Sequence, residues 1–211
     1  QSLVAARGKL DDAVKSATSS SASTLSSELF FAAEVLAGNV PLRRAFADIS
    51  RDAAAKGALV KDLFGKSVGT AALSLLTDIS TLRWSAGGDI VHVLEQLAIE
   101  AEGSAANIDG ALDRVEDELF AVSRIIVENF ELRKALVGSG AQAAKAALIT
   151  EVLAKSATPS TIKLSVALVT SLRGRSIEAA FADYLFGLAN RRNRLIADVR
   201  VATALSADQK V

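Results

Sequence analysis

The stretch AKGALVKDLFGKS at residues 55–67 returns as AKAALITEVLAKS at 144–156. An apolar helix seldom recurs with its flanking Lys and Ser in the same places, so the pair marks a duplicated structural unit. The flanks keep the same order. SELFFAAEVLAGNVPLRRAF at 27–46 is answered by DELFAVSRIIVENFELRKAL at 117–136, with Leu29, Asn39, Leu42 and Arg43 matched by Leu119, Asn129, Leu132 and Arg133. TLRW at 81–84 is answered by SLRG at 171–174. A helical repeat this short needs neighbouring surface to bury its apolar stripe, which favours two packed bundles over independent beads.

Apolar residues recur at i, i+3, i+4 and i+7 almost throughout, without sustained alternation of period two, so the chain reads as all-α. Helices are expected over about 2–15, 25–38, 51–65, 70–83, 88–102 and 176–194, with a short one after Pro41 at its first turn. The serine-rich run at 16–23 reads as a loop, because small hydroxyl side chains compete for backbone hydrogen bonds. Ser50 is the expected N-cap of the motif helix, Gly65 and Gly69 mark its end, and Thr158 with Pro159 opens the corresponding later helix. The second copy has only the helix at 88–102 in front of it. That helix would close the first bundle and also open the second, coupling the two rigidly. The division is therefore 1–102, 103–197 and a remainder at 198–211, with helix 88–102 shared.

Composition limits what such a fold can do. Of 211 residues half are hydrophobic, enough for each bundle to bury its own core, and Lys plus Arg equals Asp plus Glu at 24 each. That balance removes the broad positive field of a protein that wraps nucleic acid or coats an anionic membrane. Cys is absent, so there is no thiol nucleophile, thiolate metal site or disulfide framework. No apolar run approaches the roughly 18 residues of a membrane span. Met is absent too, position 1 included. The chain therefore reads as a segment of a longer protein, with room for a membrane anchor outside it.

Candidate chemistry is sparse. LFGKS at 63–67 resembles the tail of a phosphate-binding loop, but Val60 stands where the leading Gly belongs, and Ala154 replaces Gly65 in the second copy. His92 is the single histidine and has no partner for a zinc site. The acids at 116–118 are helix neighbours that point in different directions and suit a solvated first turn rather than an acid/base pair. RRNR at 191–194 is the one basic cluster, read as a solvated helix end, and Trp84 and Tyr184 are read as core or interface anchors. No catalytic, cofactor-binding or metal-binding residue is assigned, and the expected activity is holding another protein.

The order of short helices, the LRKAL step after an Asn-bounded helix, and the run LVTSLRGRSIEAAFADYLFGLANRRNRLIADVRVATALSADQ at 168–209 together resemble the delta subunit of bacterial F-type ATP synthase. In mitochondria this family is the oligomycin-sensitivity-conferring protein. In that family an Arg, Arg175 here, ends the fifth helix, a long sixth helix follows, and a strand-like segment opens a C-terminal domain. VRVATALS at 199–206 fits that segment, so a short strand-like exit is expected near 199–204. The resemblance covers the second copy well and the first more loosely. The doubled bundle is similar to the fused b-delta subunit of mycobacteria and other actinobacteria, and the chain stops where the C-terminal domain would begin.

The resemblance implies a mechanical, non-catalytic role on the cytoplasmic face of the bacterial plasma membrane. A peripheral-stalk connector ties the catalytic head to the stator so that proton-driven rotation of the central shaft does work on the head instead of dragging it round. The implied partners are alpha subunits of the head and a b-type stalk subunit, with no nucleic acid and with membrane contact only through segments outside this chain. The family receives an alpha-subunit N-terminal helix between its first and fifth helices, helix-in-groove recognition by apolar anchors. Here that groove maps to 2–15 with 70–82, and again to 90–101 with 161–172. The candidate lining is Ala72, Leu73, Leu75, Leu76 and Ile79 in the first copy and Ile162, Leu164, Val166, Leu168 and Val169 in the second; simple core packing is the alternative for each. A doubled bundle could take two such helices or cap the stalk differently. The competing reading is a generic helical-repeat adaptor for some other amphipathic helix.

Overall fold

The computed structural model describes residues 2–48, 50–84 and 86–191. Within them the chain is all-α, as its periodicity requires. The helices are α1 Ser2–Val14, α2 Ser19–Ala37, α3 Val40–Ala47, α4 Ala53–Phe64, α5 Thr70–Thr81, α6 Gly87–Ile108, α7 Leu112–Glu128, α8 Phe130–Val137, α9 Gln142–Leu153, α10 Pro159–Thr170 and α11 Ile177–Asn190. The segment expected to be strand-like, 199–204, lies outside the described residues. The repeat is visible in helix length: α2 to α6 run 19, 8, 12, 12 and 22 residues, and α7 to α11 run 17, 8, 12, 12 and 14.

Local chemistry repeats with it. Asn39 and Asn129 cap α3 and α8, accepting hydrogen bonds from the backbone N–H of Leu42 and Leu132 at 3.1 and 3.0 Å. An Asn side chain at that place satisfies one of the N–H groups that a helix start leaves without an intrahelical partner. Glu28 accepts the N–H of Gly69, the residue before α5, and Glu118 accepts the N–H of Thr158, the residue before α10, each at 2.7 Å. In both copies, therefore, a carboxylate ties the second helix to the positive start of the fifth.

Three boundaries differ from the sequence reading. The serine run is partly helical, since Thr18 and Ser21 form a reciprocal capping box and α2 starts at Ser19. Hydroxyls that weaken a helix interior strengthen a helix start, and Ala22 and Leu25 are already buried in the core. Asp52, not Ser50, caps α4, accepting from Ala55 N–H; Ser50 instead donates to Asp48. Helix α10 ends at Thr170, so Arg175 lies in the connection to α11 rather than at the helix end.

Two apolar clusters form, and α6 supplies both. Leu94, Leu97 and Ala98 belong to the first cluster and Ile99 and Ala106 to the second. The most extensive helix packing in the molecule is between α2 and α6. Phe30 of α2 reaches both clusters. On its other side α6 is crossed by α11 at glycines. A Cβ on Gly187 would stand 2.9 Å from Ile99 Cγ2, and one on Gly103 would stand 3.1 Å from Leu188 Cδ2. Each helix thus has a glycine where the other comes close.

Gly187→Ala is expected to lower unfolding stability by about 1–3 kcal/mol, because the stiff β-branched Ile99 cannot give way without a backbone shift. Gly8→Ala is the control: an added Cβ there meets nothing within 4 Å, and the change should raise stability by about 0.5–1 kcal/mol. Denaturant melts of the two variants beside the parent chain measure both.

Candidate functional site

The two copies offer two comparable surfaces, α1 with α5 and α6 with α10. Helix α1 runs antiparallel to α5, with Ser2 Oγ donating to the Arg83 carbonyl at one end and Lys9 Nζ 3.4 Å from Asp78 Oδ2 further along. Between them lies a cavity of about 280 Å³ lined by Lys9, Asp12, Ala13, Ala71, Ser74, Leu75 and Asp78. Its walls are mostly small or charged, with Ala71 and Ser74 exposed.

The residues singled out from sequence divide by burial. Ala72, Leu75, Leu76 and Ile79 are buried in the first cluster, and Leu164, Leu168 and Val169 in the second. Leu73, Ile162 and Val166 are half-buried at the edges of those clusters. The open part of the α5 surface is the face carrying Ala71, Ser74 and Asp78. Their i, i+3, i+7 spacing beside the buried stripe is readable in the sequence once the stripe is assigned to the core.

The α6–α10 surface is covered. Helix α2 lies along α6 there, tied to α10 at one end and to the α10–α11 connection at the other. Lys163 Nζ donates to the Ser23 carbonyl at 2.6 Å and to its Oγ at 2.7 Å. At the far end Ser171 Oγ and Arg173 Nη2 donate to Glu34 Oε2 at 3.3 and 3.1 Å. Midway, the Phe30 ring stacks on Tyr184 with centroids 6.3 Å apart.

Helix α6 carries three buried carboxylates, Glu95 and Glu102 towards α2 and Glu100 towards α1, each held by a different part of the chain. Glu95 receives Arg173 at 3.1 Å, Arg175 at 2.7 Å and the Tyr184 hydroxyl at 3.2 Å. Glu100 pairs with Arg7 of α1 at 2.7 Å. Glu102 receives Lys163 at 2.8 Å, Ser160 at 2.7 Å and Ser23 at 3.0 Å. A carboxylate taken out of water needs such partners. The turn that brings Arg173 to Glu95 uses a left-handed backbone at two successive residues, Arg173 with φ 49° and Gly174 with φ 81°. A side chain tolerates that region only at a cost, which the grip on Glu95 and Glu34 offsets.

Burial pushes the Glu100 carboxyl up, with Arg7 offsetting part of the shift. Burial likewise raises the Tyr184 hydroxyl, reinforced by the charge of Glu95. For Arg175 burial alone would act downward, but the hydrogen bond and charge of Glu95 prevail and raise it. At Glu118 burial is outweighed by the Thr158 N–H, the Thr161 hydroxyl and Arg114, so its pKa is lowered. Glu118 is thus a structural tie to α10, not merely the solvated acid read from its neighbours.

The remaining motifs fall in ordinary places. Gly65 to Ser67 follow the C-terminal end of α4, where a helix presents carbonyls rather than N–H groups. His92 is exposed on α6. Trp84 is in the first cluster, its Nε1 donating to the Ile79 carbonyl at 3.0 Å, and Tyr184 is in the second. Of the basic cluster, Arg191 pairs with Asp11 of α1, and 192–194 lie outside the described residues. Among the described residues no group of His, Asp or Glu is arranged to hold a metal, and no helix is long and apolar enough to cross a membrane.

A sequence model of the family described as ATP synthase delta (OSCP) subunit matches residues 100–211. The chain is also similar along its whole length to proteins named ATP synthase subunit delta. That of Streptomyces coelicolor is 41% identical over 211 residues, which is 100% of this chain and 77% of the relative. That of Kineococcus radiotolerans is 35% identical, covering 99% of this chain and 76% of the relative, and that of Salinispora tropica is 34% identical, covering 97% and 75%.

Glu95→Ala leaves two guanidiniums facing an empty place. The expected loss is about 2–3 kcal/mol, below the 3–5 kcal/mol of a fully buried pair because both arginines keep contact with water. Glu118→Gln should lower stability at neutral pH, and the gap to the parent should close as pH falls below the ordinary glutamate value of 4.5 and through the depressed folded-state pKa. Glu100 contributes in the opposite sense, favouring the folded state as pH falls towards 4.5 from above. Denaturant melts from pH 3 to 8, an interval of about 5 units spanning these transitions, measure the closing gap.

Proposed function

Because the chain belongs to the ATP synthase delta (OSCP) subunit family, whose role lies in the peripheral stalk, we propose that it is the connector that grips the catalytic head through alpha-subunit N-terminal helices and resists its rotation during proton-driven ATP synthesis. On this reading the chain is non-catalytic. Its partners are alpha subunits and a b-type stalk subunit at the cytoplasmic face of the bacterial plasma membrane. The chain divides at 1–102 and 103–197 with α6 serving both.

The observation that carries the reading is the joint. A stator element must pass torque without a hinge, and here one continuous helix lies in both apolar clusters. Its carboxylates are bonded to α1, α2, α10 and the α10–α11 connection. Bending at that joint would strip buried charges of their partners, which is costly. The open α1–α5 surface, with its small side chains, gives an amphipathic helix close access to the backbone.

The test is reassembly of this chain onto an actinobacterial catalytic head stripped of its own delta subunit, with intact alpha subunits and with alpha subunits lacking the N-terminal helix. Deleting the helix should weaken binding at least about tenfold, and Ser74→Arg, a bulky charge at an exposed site on the α5 face, should do the same. Undiminished binding to the shortened alpha subunits would sink the reading and leave an adaptor for a different helix.

A further inference from the structure

We propose that α2 occupies, from within the chain, the second copy's counterpart of the α1–α5 surface, so that a partner helix docks on the first copy alone and each chain captures one helix. This rests on the helix-capture reading and adds which groove is free and what fits it.

The duplicated sequence makes the comparison direct. Ser160 and Lys163 stand in α10 where Ala71 and Ser74 stand in α5. In the second copy those positions are engaged: Lys163 donates to Ser23 of α2, and both Lys163 and Ser160 donate to Glu102. In the first copy the same positions are exposed and line an open cavity. Helix α2 makes its contacts from Ser23, Phe30 and Glu34, an i, i+7, i+11 set on one helical face, as a helix lying in a groove does. The fold thus already seats an amphipathic helix on one of its two equivalent surfaces.

The seated helix also specifies what the free surface accepts. Arg83, which matches Arg173 in the repeated TLRW and SLRG motif, is exposed beside the free surface and offers an acid a cation there, without the left-handed turn that aims Arg173. A fitting partner therefore carries a large apolar anchor in the place of Phe30 and an acid four residues later. A second copy of this chain does not meet that requirement. The matching face of α7 keeps the anchor as Phe120, 56% exposed, but has Arg124 where α2 has Glu34, which would set two guanidiniums against each other. The occupant is a helix from another protein.

The chain has no Cys, so Ser23→Cys with Ser160→Cys, two positions that meet at the Glu102 carboxylate, gives a single pair that a short bismaleimide can bridge, locking α2 onto α10 while Lys163 still neutralises Glu102. The probe is a synthetic peptide of the N-terminal helix of an actinobacterial ATP synthase alpha subunit, titrated by calorimetry and NMR before and after locking. The expected result is a link formed in the folded monomer, one peptide per chain, affinity unchanged within about twofold on locking, and shifts confined to α1 and α5. Failure of the link to form, two peptides per chain, shifts in α10, or loss of binding on locking would each overturn the proposal. No binding in either form, with the link made, brings down helix capture and the one-helix claim with it, while the covered α6–α10 surface stands on the link alone.

Discussion

A carboxylate inside an apolar core is tolerated only with its counter-charges in place, and α6 carries three of them. Glu95, Glu100 and Glu102 are each no more than 3% exposed. Their partners come from α1, α2, α10 and the connection before α11, so satisfying one helix fixes the positions of most of the others. Replacing them with apolar residues would keep the burial but remove the directional bonds that set how the two bundles sit on each other.

That requirement explains how two copies of one helical plan serve unequal ends. Helices α2 and α7 are copies, with Phe30 and Phe120 at the same place, yet Phe30 stacks on Tyr184 while Phe120 faces out. The difference is not in the copied helix but in what lies beside it. The second bundle lies beside α2, whereas the corresponding place beside the first bundle is open.

For a subunit of a rotary machine the consequence is mechanical. A joint made of one continuous helix, close glycine crossings with α11 and paired buried charges resists bending, because each small displacement costs packing and ion pairing together. Stiffness at the joint and an open α1–α5 face both come from one duplicated helical plan.

Periodicity alone was enough for the all-α class, and the duplicated stretches at 55–67 and 144–156 for the internal repeat, because both are local patterns that any packing must respect. The cap at Thr158 was legible for the same reason. Less legible were the start of α2 and the cap of α4, where several hydroxyl and carboxylate residues compete for one role and neighbouring burial chooses among them. The apolar residues of α5 and α10 could be read as groove or as core. Most are core, because the bundle uses them first and leaves Ala71, Ser74 and Asp78 at the surface. The sequence by itself determined which helices exist, their order and their duplication, since these follow from side-chain spacing along one chain. Only the tertiary structure decided which copy keeps its surface open and where Glu95, Glu100 and Glu102 find their cations, because those outcomes depend on residues as far as 140 positions apart meeting in space.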